Sequence, residues 1–573
     1  MCGINKTESD NNELSVSVIG FELILSTPHG VDQETVNSLA KNKHCAISLT
    51  MGLSVHPLEQ TIELAQKLRL ASTIGQLNPQ WITQSASVNS RPFFDKGLDG
   101  SGQVVAVADG GLDRDNCYFW DATSDTVGDS IFWSSWNRTQ RKIVNYDNSF
   151  ADKEEIYMGR GTYISGIIAG RKSSNGVDEE TGYTDGIAPG SKLSFFDMEI
   201  DAAGIEDPGA GRLSYKGVYS SFCRDYDNLL SSTYSNVLFI VSAGNTGIGG
   251  IPSIIQNPSD CKNTFAVGAT LSYGKYIRSR EKGIEYLADY SSRGPTSNGR
   301  IKPNIVAPGH FILAPNADPI KFGVGARYVS GTSMSSPVVA ASASIVRQYF
   351  EEGWCNTMSC CGTKGCGVTI KPSGSLLKAI LINGAQPLTG GVQSIPGSFH
   401  DNNQGIGQLN LLNSLPLSEV NNVGLILIND RKIVNGAEHE YIINVDTSNG
   451  CTSDLRVTLA WYDAPGAVGC THCVMNDLDL FIEDMHGSEM FYPNGLSYRN
   501  KKNTAERIRI APSDGQQFRI VVQATKFSTK LQQYSLAILG CLANNFQTSP
   551  SYKSSAGFLS RTNTLSLHNP THD

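Results

Sequence analysis

The sequence predicts a three-layer α/β domain with a central parallel sheet, followed by an antiparallel β-sandwich. Two patterns support this prediction. Between residues 103 and 415, near-continuous apolar runs alternate with helical stretches, which is typical of parallel strands buried on both faces. After residue 415 the pattern changes to short alternating strands separated by turn residues, which is typical of antiparallel sheets.

Residues 1–95 are predicted to form a separate N-terminal segment. Its predicted elements are strands over 16–26 and Trp81–Thr83 and helices over 33–43 and 57–70. The most apolar early stretch contains Glu22 and follows an acidic leader, so it lacks the pattern of a secretory signal.

The α/β domain is predicted to span residues 96–415. Its buried strands are predicted at 104–108, 193–198, 238–242 and 265–269, and its helices at 162–169, 218–231, 333–350 and 373–383. A cysteine-rich loop over 354–372 separates the last two helices, and we expect it to be a structural staple. Open α/β sheets carry their functional sites at the carboxyl ends of strands, where Asp109 and Asn245 fall.

Residues 416–543 are predicted to form the β-sandwich. Its strands are predicted at 424–429, 440–445, 455–461, 478–483, 507–510, 518–523 and 534–539. The remaining residues, 544–573, are rich in Ser, Thr and Asn, and this composition predicts a disordered tail.

Charge and hydropathy exclude two classes of partner. The chain of 573 residues has a formal net charge of −8, which argues against nucleic acid as a partner. It has no run of about 18 apolar residues, so we expect no membrane span.

The 13 cysteines fall in even groups within separate regions, which predicts disulfides and an oxidising compartment, either secreted or luminal. A rival interpretation is a metal site at Cys470 and Cys473, whose spacing suits a metal ion. Asn476, Asp477 and Asp479 are weaker candidates for calcium, which prefers oxygen ligands. No other cofactor is predicted.

The motif GTSMSSP at residues 331–337 places Ser333 at the start of a helix rich in small residues. Backbone N–H groups at a helix N-terminus favour developing negative charge, so this position suits a nucleophile. Asp109 ends an apolar run, and Asn245 follows another.

These segments, together with SSRGPT at 291–296 and KPNIVAPG at 302–309, resemble the subtilisin-like serine proteases. The resemblance implies that Ser333 is the nucleophile, Asp109 the catalytic carboxylate and Asn245 an oxyanion donor. The substrate-binding residues that it implies are Ser214, Tyr215, Gly217, Ser242, Ala243 and Gly244. Residues 1–95 loosely resemble a subtilase pro-segment, and residues 416–543 resemble the jelly-roll domain of one subtilase subgroup.

One position departs from the family. The segment GRGTYISG at 159–166 has Arg160 where the family has the general-base histidine. A guanidinium has no acceptor and a pKa above about 12, so it cannot take the proton of Ser333. We expect Arg160 to pair with Asp109 instead, in a bidentate arrangement.

Three functions follow from these residues. The first is a peptide-binding pseudoprotease that retains Asp109, Asn245 and Ser333 but is inactive or severely impaired. The second is an active serine endopeptidase in which a surrogate base replaces the histidine. The third is an adhesion or assembly protein that acts through its β-sandwich. The partner is a peptide or protein in the first two cases.

Overall fold

The computed structural model describes residues 15–17, 23–27, 61–63, 79–121, 137–148, 159–174, 177–178, 185–198, 218–255, 257–272, 283–317, 326–355, 359–360, 362–390, 401–487, 489–543 and 546–551. The predicted helices over 33–43 and 57–70 lie outside these ranges, except that Thr61–Glu63 is a strand. Among the described residues, no helix combines the length and the apolar character that a membrane crossing needs.

The four helices predicted in the α/β domain are confirmed with similar bounds. The helices are α1 (Pro79–Gln84), α2 (Pro92–Asp95), α3 (Arg160–Ala169), α4 (Ser221–Ser232), α5 (Thr332–Glu351) and α6 (Gly374–Gly384), with 3₁₀ turns at Ile248–Gly250 and Pro493–Gly495. The prediction of a strand at Trp81–Thr83 is wrong, because Pro79 starts a helix there. Gln80 anchors this helix by donating to the carbonyl of Gly186 at 2.9 Å.

Strands make up most of the remaining regular structure. In chain order they are β1 (Ser15–Ser17), β2 (Leu23–Thr27), β3 (Thr61–Glu63), β4 (Val104–Asp109), β5 (Ile143–Asp147), β6 (Ser173–Ser174), β7 (Val177–Asp178), β8 (Lys192–Asp197), β9 (Leu238–Ser242), β10 (Phe265–Thr270), β11 (Ile305–Pro308), β12 (Ile312–Pro315), β13 (Ala326–Val329), β14 (Ser359–Cys360), β15 (Gly424–Val434), β16 (Glu438–Asn444), β17 (Leu455–Ala460), β18 (Asn476–Asp484), β19 (Met490–Phe491), β20 (Ala505–Ile510), β21 (Gln517–Phe527), β22 (Leu531–Gly540) and β23 (Gln547–Ser551).

The main sheet has seven strands in the order β11-β10-β9-β2-β4-β8-β5. All its pairings are parallel except those of β2, which runs antiparallel to both β4 and β9. The predicted parallel sheet is therefore present, but a strand from the N-terminal segment completes its centre. Strands β4 and β9 are buried along their whole length, as their apolar runs predict.

The C-terminal region consists of two five-stranded antiparallel sheets, β14-β15-β22-β17-β20 and β19-β18-β21-β16-β23. All seven strands predicted for the sandwich are present, and the jelly-roll assignment stays a prediction. Ser359–Cys360, from the cysteine-rich loop, pairs with β15. Gln547–Ser551 differs from the expected disordered tail, because it pairs with β16 as an edge strand. Residues 552–573 lie outside the described ranges.

The two largest hydrophobic clusters among the described residues lie in the α/β domain and in the sandwich. The larger core lies in the α/β domain and extends into one sheet of the sandwich, where Leu427, Ala460 and Leu539 join it. The second core fills the space between the two sandwich sheets around Trp461. The α/β domain and the sandwich therefore share buried apolar surface rather than touching only at their rims.

Disulfides confirm the prediction made from the cysteines. They join Cys223 to Cys261, Cys355 to Cys360, Cys451 to Cys541 and Cys470 to Cys473. The Cys470–Cys473 bond removes the free thiolates on which the metal interpretation of that pair depends.

Candidate active site

Asp109 and Arg160 are brought together by the end of one strand and the start of one helix. Strand β4 ends at Asp109, and α3 begins at Arg160. The N–H of Gly161 donates to the carbonyl of Gly110 at 3.0 Å, and a Cβ at position 161 would lie 2.1 Å from that oxygen. Only glycine therefore allows α3 to approach β4 so closely.

Arg160 pairs with Asp109 through one contact rather than two. Arg160 Nε lies 3.4 Å from Asp109 Oδ1, and that oxygen also accepts the N–H of Gly110 at 2.8 Å. Asp109 Oδ2 is buried and has no hydrogen-bond partner. Because Oδ2 accepts no hydrogen bond, the expected bidentate pair is absent.

The environment of Asp109 opposes its ionisation. Burial raises the pKa of Asp109 to about 6, against the lowering effect of Arg160 and of the Gly110 N–H. Asp197 raises this pKa further, and its Oδ2 accepts a hydrogen bond from the Tyr146 hydroxyl at 2.6 Å. Arg160 therefore offsets only part of the desolvation of the Asp109 carboxyl.

Asn245 and the Ser333 segment form the second part of the site. Helix α5 begins at Thr332, after Gly331 with φ of 152°. Asn245 Oδ1 accepts both the N–H of Thr332 at 2.8 Å and its hydroxyl at 2.9 Å. The hydroxyl of Thr332 in turn accepts the N–H of Gly244 at 3.1 Å.

These bonds fix the orientation of the Asn245 amide. Because Oδ1 accepts two donors, the amide Nδ2 is left as the donor end. It faces the turn before Ser333, since a Cβ at Gly331 would lie 3.3 Å from Nδ2. A preorganised donor of this kind suits an oxyanion that develops beside Ser333.

Helix packing joins the two parts of the site. Helix α3, which carries Arg160, packs against α5, which carries Ser333. Ser333 is 7% exposed and Asp109 is 3% exposed, so both side chains are largely shielded from water. The arrangement combines the Ser333 hydroxyl, the Asn245 amide and the Asp109 carboxyl, beside which the Arg160 guanidinium lies.

The predicted substrate-binding residues divide into two groups. Ser214, Tyr215 and Gly217 lie outside the described residues. Ser242, Ala243 and Gly244 are buried. The N–H of Ala243 donates to the carbonyl of Val267 at 2.9 Å, and the carbonyl of Gly244 accepts the N–H of Ser292 at 2.8 Å. These backbone groups hold the framework of the site.

His310 is a residue of this region to which sequence analysis gave no role. It follows Gly309, whose carbonyl accepts the N–H of Gly331 at 2.8 Å, next to the Ser333 turn. Its ring packs against Phe311, and its Nδ1 is buried without a hydrogen-bond partner. Burial lowers the pKa of His310 to about 4, so the imidazole is neutral at pH 7.

Thr332, Gly161 and Asp197 were also missed by sequence analysis. Thr332 and Gly161 are adjacent in sequence to the predicted site residues Ser333 and Arg160. This adjacency could have identified them as part of the site. Asp197 ends β8, the strand next to β4, and only the pairing of those strands places its carboxylate near Asp109.

The calcium candidates fit a cation only in part. Asn476 Oδ1 accepts the N–H groups of Ser528 and Thr529, so it serves the loop after β21. Asp477 Oδ1 and Asp479 Oδ1 are buried without hydrogen-bond partners, and burial beside Asp479 raises the pKa of Asp477 to about 7. Two carboxylates thus suit a cation, and calcium at this place stays a prediction.

Known proteins resemble this chain over its α/β domain and beyond. A sequence model of the subtilase family, peptidase S8, matches residues 100–407. The serine protease/ABC transporter B family protein tagD of Dictyostelium discoideum is 25% identical over 87% of this chain and 34% of its own length. The subtilisin-like protease SBT6.1 of Arabidopsis thaliana is 26% identical over 56% of this chain and 26% of its own length. The chain therefore spans about a third or less of these relatives.

Among solved structures, the prenylagaramide maturation protease PagA is similar to this chain at 19% identity. The similarity covers 55% of this chain and 92% of that chain, with a TM-score of 0.32.

Proposed function

We propose that this chain, which belongs to the subtilase family, binds peptides but hydrolyses them far more slowly than a serine endopeptidase. The observation that supports the proposal is the ion pair between Arg160 and Asp109, with Nε 3.4 Å from Oδ1. By resemblance to the subtilisin-like proteases, position 160 belongs to the general base. The guanidinium has only donors, so the Ser333 hydroxyl stays protonated and remains a weak nucleophile.

The expected loss of rate is large. In subtilisin, from which this magnitude is taken, loss of the histidine lowers kcat by roughly 2 × 10⁶. Residual catalysis by the oxyanion hole and by binding is about 10³–10⁴ over water. We therefore expect that Asn245 still stabilises a bound carbonyl oxygen while peptide cleavage is close to undetectable.

Hydrolysis of a mixed fluorogenic peptide library tests the catalytic half of the proposal. Purified wild-type protein and Ser333→Ala should release the fluorophore at the same rate. Turnover by the wild type clearly above that of Ser333→Ala would contradict the proposal, since it would require an activated Ser333.

Binding is tested separately with the same two proteins. Labelled peptides from the library should bind both proteins with equal affinity in a fluorescence anisotropy titration. Absence of saturable binding to either protein would contradict the peptide-binding half, and would leave the sandwich as the next region to test.

A second candidate function is slow, serine-dependent peptide hydrolysis with His310 as surrogate base. It is favoured by the unpartnered and neutral Nδ1 of His310, which can accept a proton. A pKa near 4 makes this a weak base, so the rate would be low. Under this alternative, the turnover of His310→Gln should be as low as that of Ser333→Ala. Wild-type turnover by His310→Gln would exclude His310 as the base.

A further inference from the structure

A cavity lies where the α/β domain meets the C-terminal sandwich. Water-sized molecules can occupy about 30 Å³ of it, within about 430 Å³ of empty space that includes open solvent. The α/β domain contributes Lys262, Arg300 and Lys302 to its wall, and the sandwich contributes Asn494 and Arg507. Four of these side chains are cations, and no carboxylate belongs to the described residues that line the cavity.

Arg507 is the most unusual residue in this wall. It lies on β20 and is 3% exposed, yet its Nε, Nη1 and Nη2 all lack hydrogen-bond partners. Burial and the nearby cations Arg456 and Arg509 hold the pKa of Arg507 well below its usual range. A buried guanidinium whose donors are all unused has a large desolvation penalty, and the Asp454 carboxylate offsets only part of it.

Arg300, which the α/β domain contributes to the wall, also has guanidinium donors without hydrogen-bond partners. Its Nε donates to Asn298 Oδ1 at 2.9 Å, but Nη1 and Nη2 are buried without partners. The side chain is 3% exposed, so water from the bulk does not satisfy these groups freely. The two domains thus each bring one incompletely bonded guanidinium to the same cavity.

Asn494 adds a neutral donor to this wall. Its Oδ1 accepts the N–H of Arg507 at 3.2 Å. The other end of the amide, Nδ2, is therefore the donor. Nδ2 is buried and has no hydrogen-bond partner. The unused groups of Arg300, Arg507 and Asn494 are therefore all donors, and a complementary ligand must be an acceptor.

The two lysines of the wall differ from the arginines, because the Nζ atom of each has polar partners. Lys262 Nζ lies against Asp463 and 3.8 Å from Asp227 Oδ2, so its charge is balanced. Lys302 Nζ donates to the carbonyl of Thr264 at 2.7 Å and to Asn304 Oδ1 at 3.0 Å, which are neutral acceptors. Asp260 and Asp227 act on both Lys302 and Arg300 and offset part of the charge of these two cations.

We propose that this cavity binds a small inorganic oxyanion of the size of phosphate or sulfate, held by Arg300 and Arg507 from opposite domains. The planar guanidinium fork matches the oxygens of such an anion, which accept several hydrogen bonds at once. The negative charge of the anion adds to that of Asp260, Asp227 and Asp454, which only partly offset the burial of Arg300, Lys302 and Arg507. Because one arginine comes from each domain, the bound anion strengthens the contact between them.

Thermal unfolding of the full chain in inorganic phosphate tests the proposal. Phosphate or sulfate at millimolar concentration should raise the Tm by about 3 °C or more over sodium chloride of equal ionic strength. Arg507→Met removes an unpaired buried charge and should raise the Tm measured in chloride while abolishing the response to phosphate. Arg300→Met should also lose that response.

Arg224→Met is the matched control, because the guanidinium of Arg224 is half exposed and lies outside the cavity wall. It should keep the full phosphate response. An equal response in wild type, Arg507→Met and Arg224→Met would overturn the proposal, since it would show a general salt effect.

Calorimetric titration of the wild type with phosphate does not depend on whether the variants fold. Saturable binding of one phosphate per chain is expected, and its absence at millimolar phosphate would also overturn the proposal. Neither the thermal unfolding nor the calorimetric titration uses peptide hydrolysis. The outcome of both is therefore independent of the function of the Ser333 site.

Discussion

In the function that we propose, Arg160 leaves Asp109 in a partly balanced ion pair instead of a proton-transfer site. A histidine would offer Asp109 a donor and Ser333 an acceptor at the same time. Arg160 offers donors only, and its Nε contacts the Asp109 oxygen that the Gly110 N–H already uses. At the position that the resemblance gives to the family's histidine, Arg160 supplies no base but keeps a charge beside the carboxylate.

Arg160→His is the direct test of this interpretation. A positioned general base contributes about 10²–10⁴ in rate, so we expect serine-dependent peptide hydrolysis to rise by at least about 100-fold. The measurement is initial-rate hydrolysis of the fluorogenic peptides. Arg160→Gln is the control, because it removes the guanidinium without supplying a comparable base. Equal rates for the two variants would mean that the site needs more than an imidazole.

Asp109 should also give the protein a defined dependence on pH. Its pKa is about 6 in the folded protein and 3.8 for an ordinary carboxyl. A raised pKa means that its contribution to stability is present below pH 4 and is lost as pH rises through 6. Asp109→Asn removes this contribution.

The measurement is the free energy of urea unfolding at pH 4, 5, 6 and 7. We expect the difference between wild type and Asp109→Asn to change by about 3 kcal/mol over this range, in favour of the wild type at low pH. Parallel profiles for the two proteins would mean that Asp109 ionises normally.

Sequence motifs identified the candidate site residues but gave no indication of their hydrogen-bond partners. Asp109, Asn245 and Ser333 each stand at a strand end or helix start that local sequence identifies. The bond from Thr332 to Asn245, the charge of Asp197 and the unpartnered Nδ1 of His310 arise from contacts between segments far apart in the chain. A single sequence carries no direct signal of such contacts.

Among the elements, the junction between β4 and α3 determines where Arg160 lies. Gly161 is in the first turn of α3 and touches the carbonyl of Gly110. In an ordinary helix, replacing glycine by alanine stabilises by roughly 0.5–1 kcal/mol. Here the added Cβ would lie 2.1 Å from that carbonyl oxygen, so the helix must move.

Gly161→Ala should therefore destabilise the protein, by about 1–3 kcal/mol as overpacking does. The free energy of urea unfolding gives the sign directly. Ser221→Ala, at an exposed position in α4, is the control and should change stability by less than about 0.5 kcal/mol. A stabilised Gly161→Ala protein would show that α3 does not need this close contact.

Periodicity predicted the long elements well and the short ones poorly. The strands around Val104 and Leu238 are uninterrupted apolar runs, and their burial on both faces leaves a strong signal. The Trp81 segment has β-forming residues but folds as a helix, because Pro79 starts it and Gln80 anchors it to a distant carbonyl. Tertiary contacts outweighed local propensity there.

At the scale of the whole molecule, buried polar contacts tie the two domains together. Lys262 and Asp463 are both fully buried and face each other across the junction. Asn263 Oδ1 accepts the N–H of Asp463 at 2.9 Å, and the Tyr462 hydroxyl donates to the carbonyl of Val237 at 2.7 Å. The sequence predicted both domains, but no local pattern indicated that a lysine of one would be neutralised by the other.

Asp463→Ala leaves the buried Lys262 without its nearest counter-charge. Breaking one side of a buried pair costs about 3–5 kcal/mol, so we expect a loss of this size in the free energy of unfolding. The double variant Lys262→Met/Asp463→Leu should lose less, because no lone charge remains. Asp514→Ala, at an exposed loop carboxylate, serves as control. A loss in Asp463→Ala no larger than in this control would contradict the prediction.

The antiparallel strand β2 has a consequence for the order of synthesis. Leu23–Thr27 is translated before both of its neighbours in the sheet, which end at Asp109 and Ser242. The nascent chain therefore carries β2 with at least one unpaired edge until the translation of β9 is complete. Exposed strand edges promote aggregation, so chaperone binding during elongation should matter most in this interval.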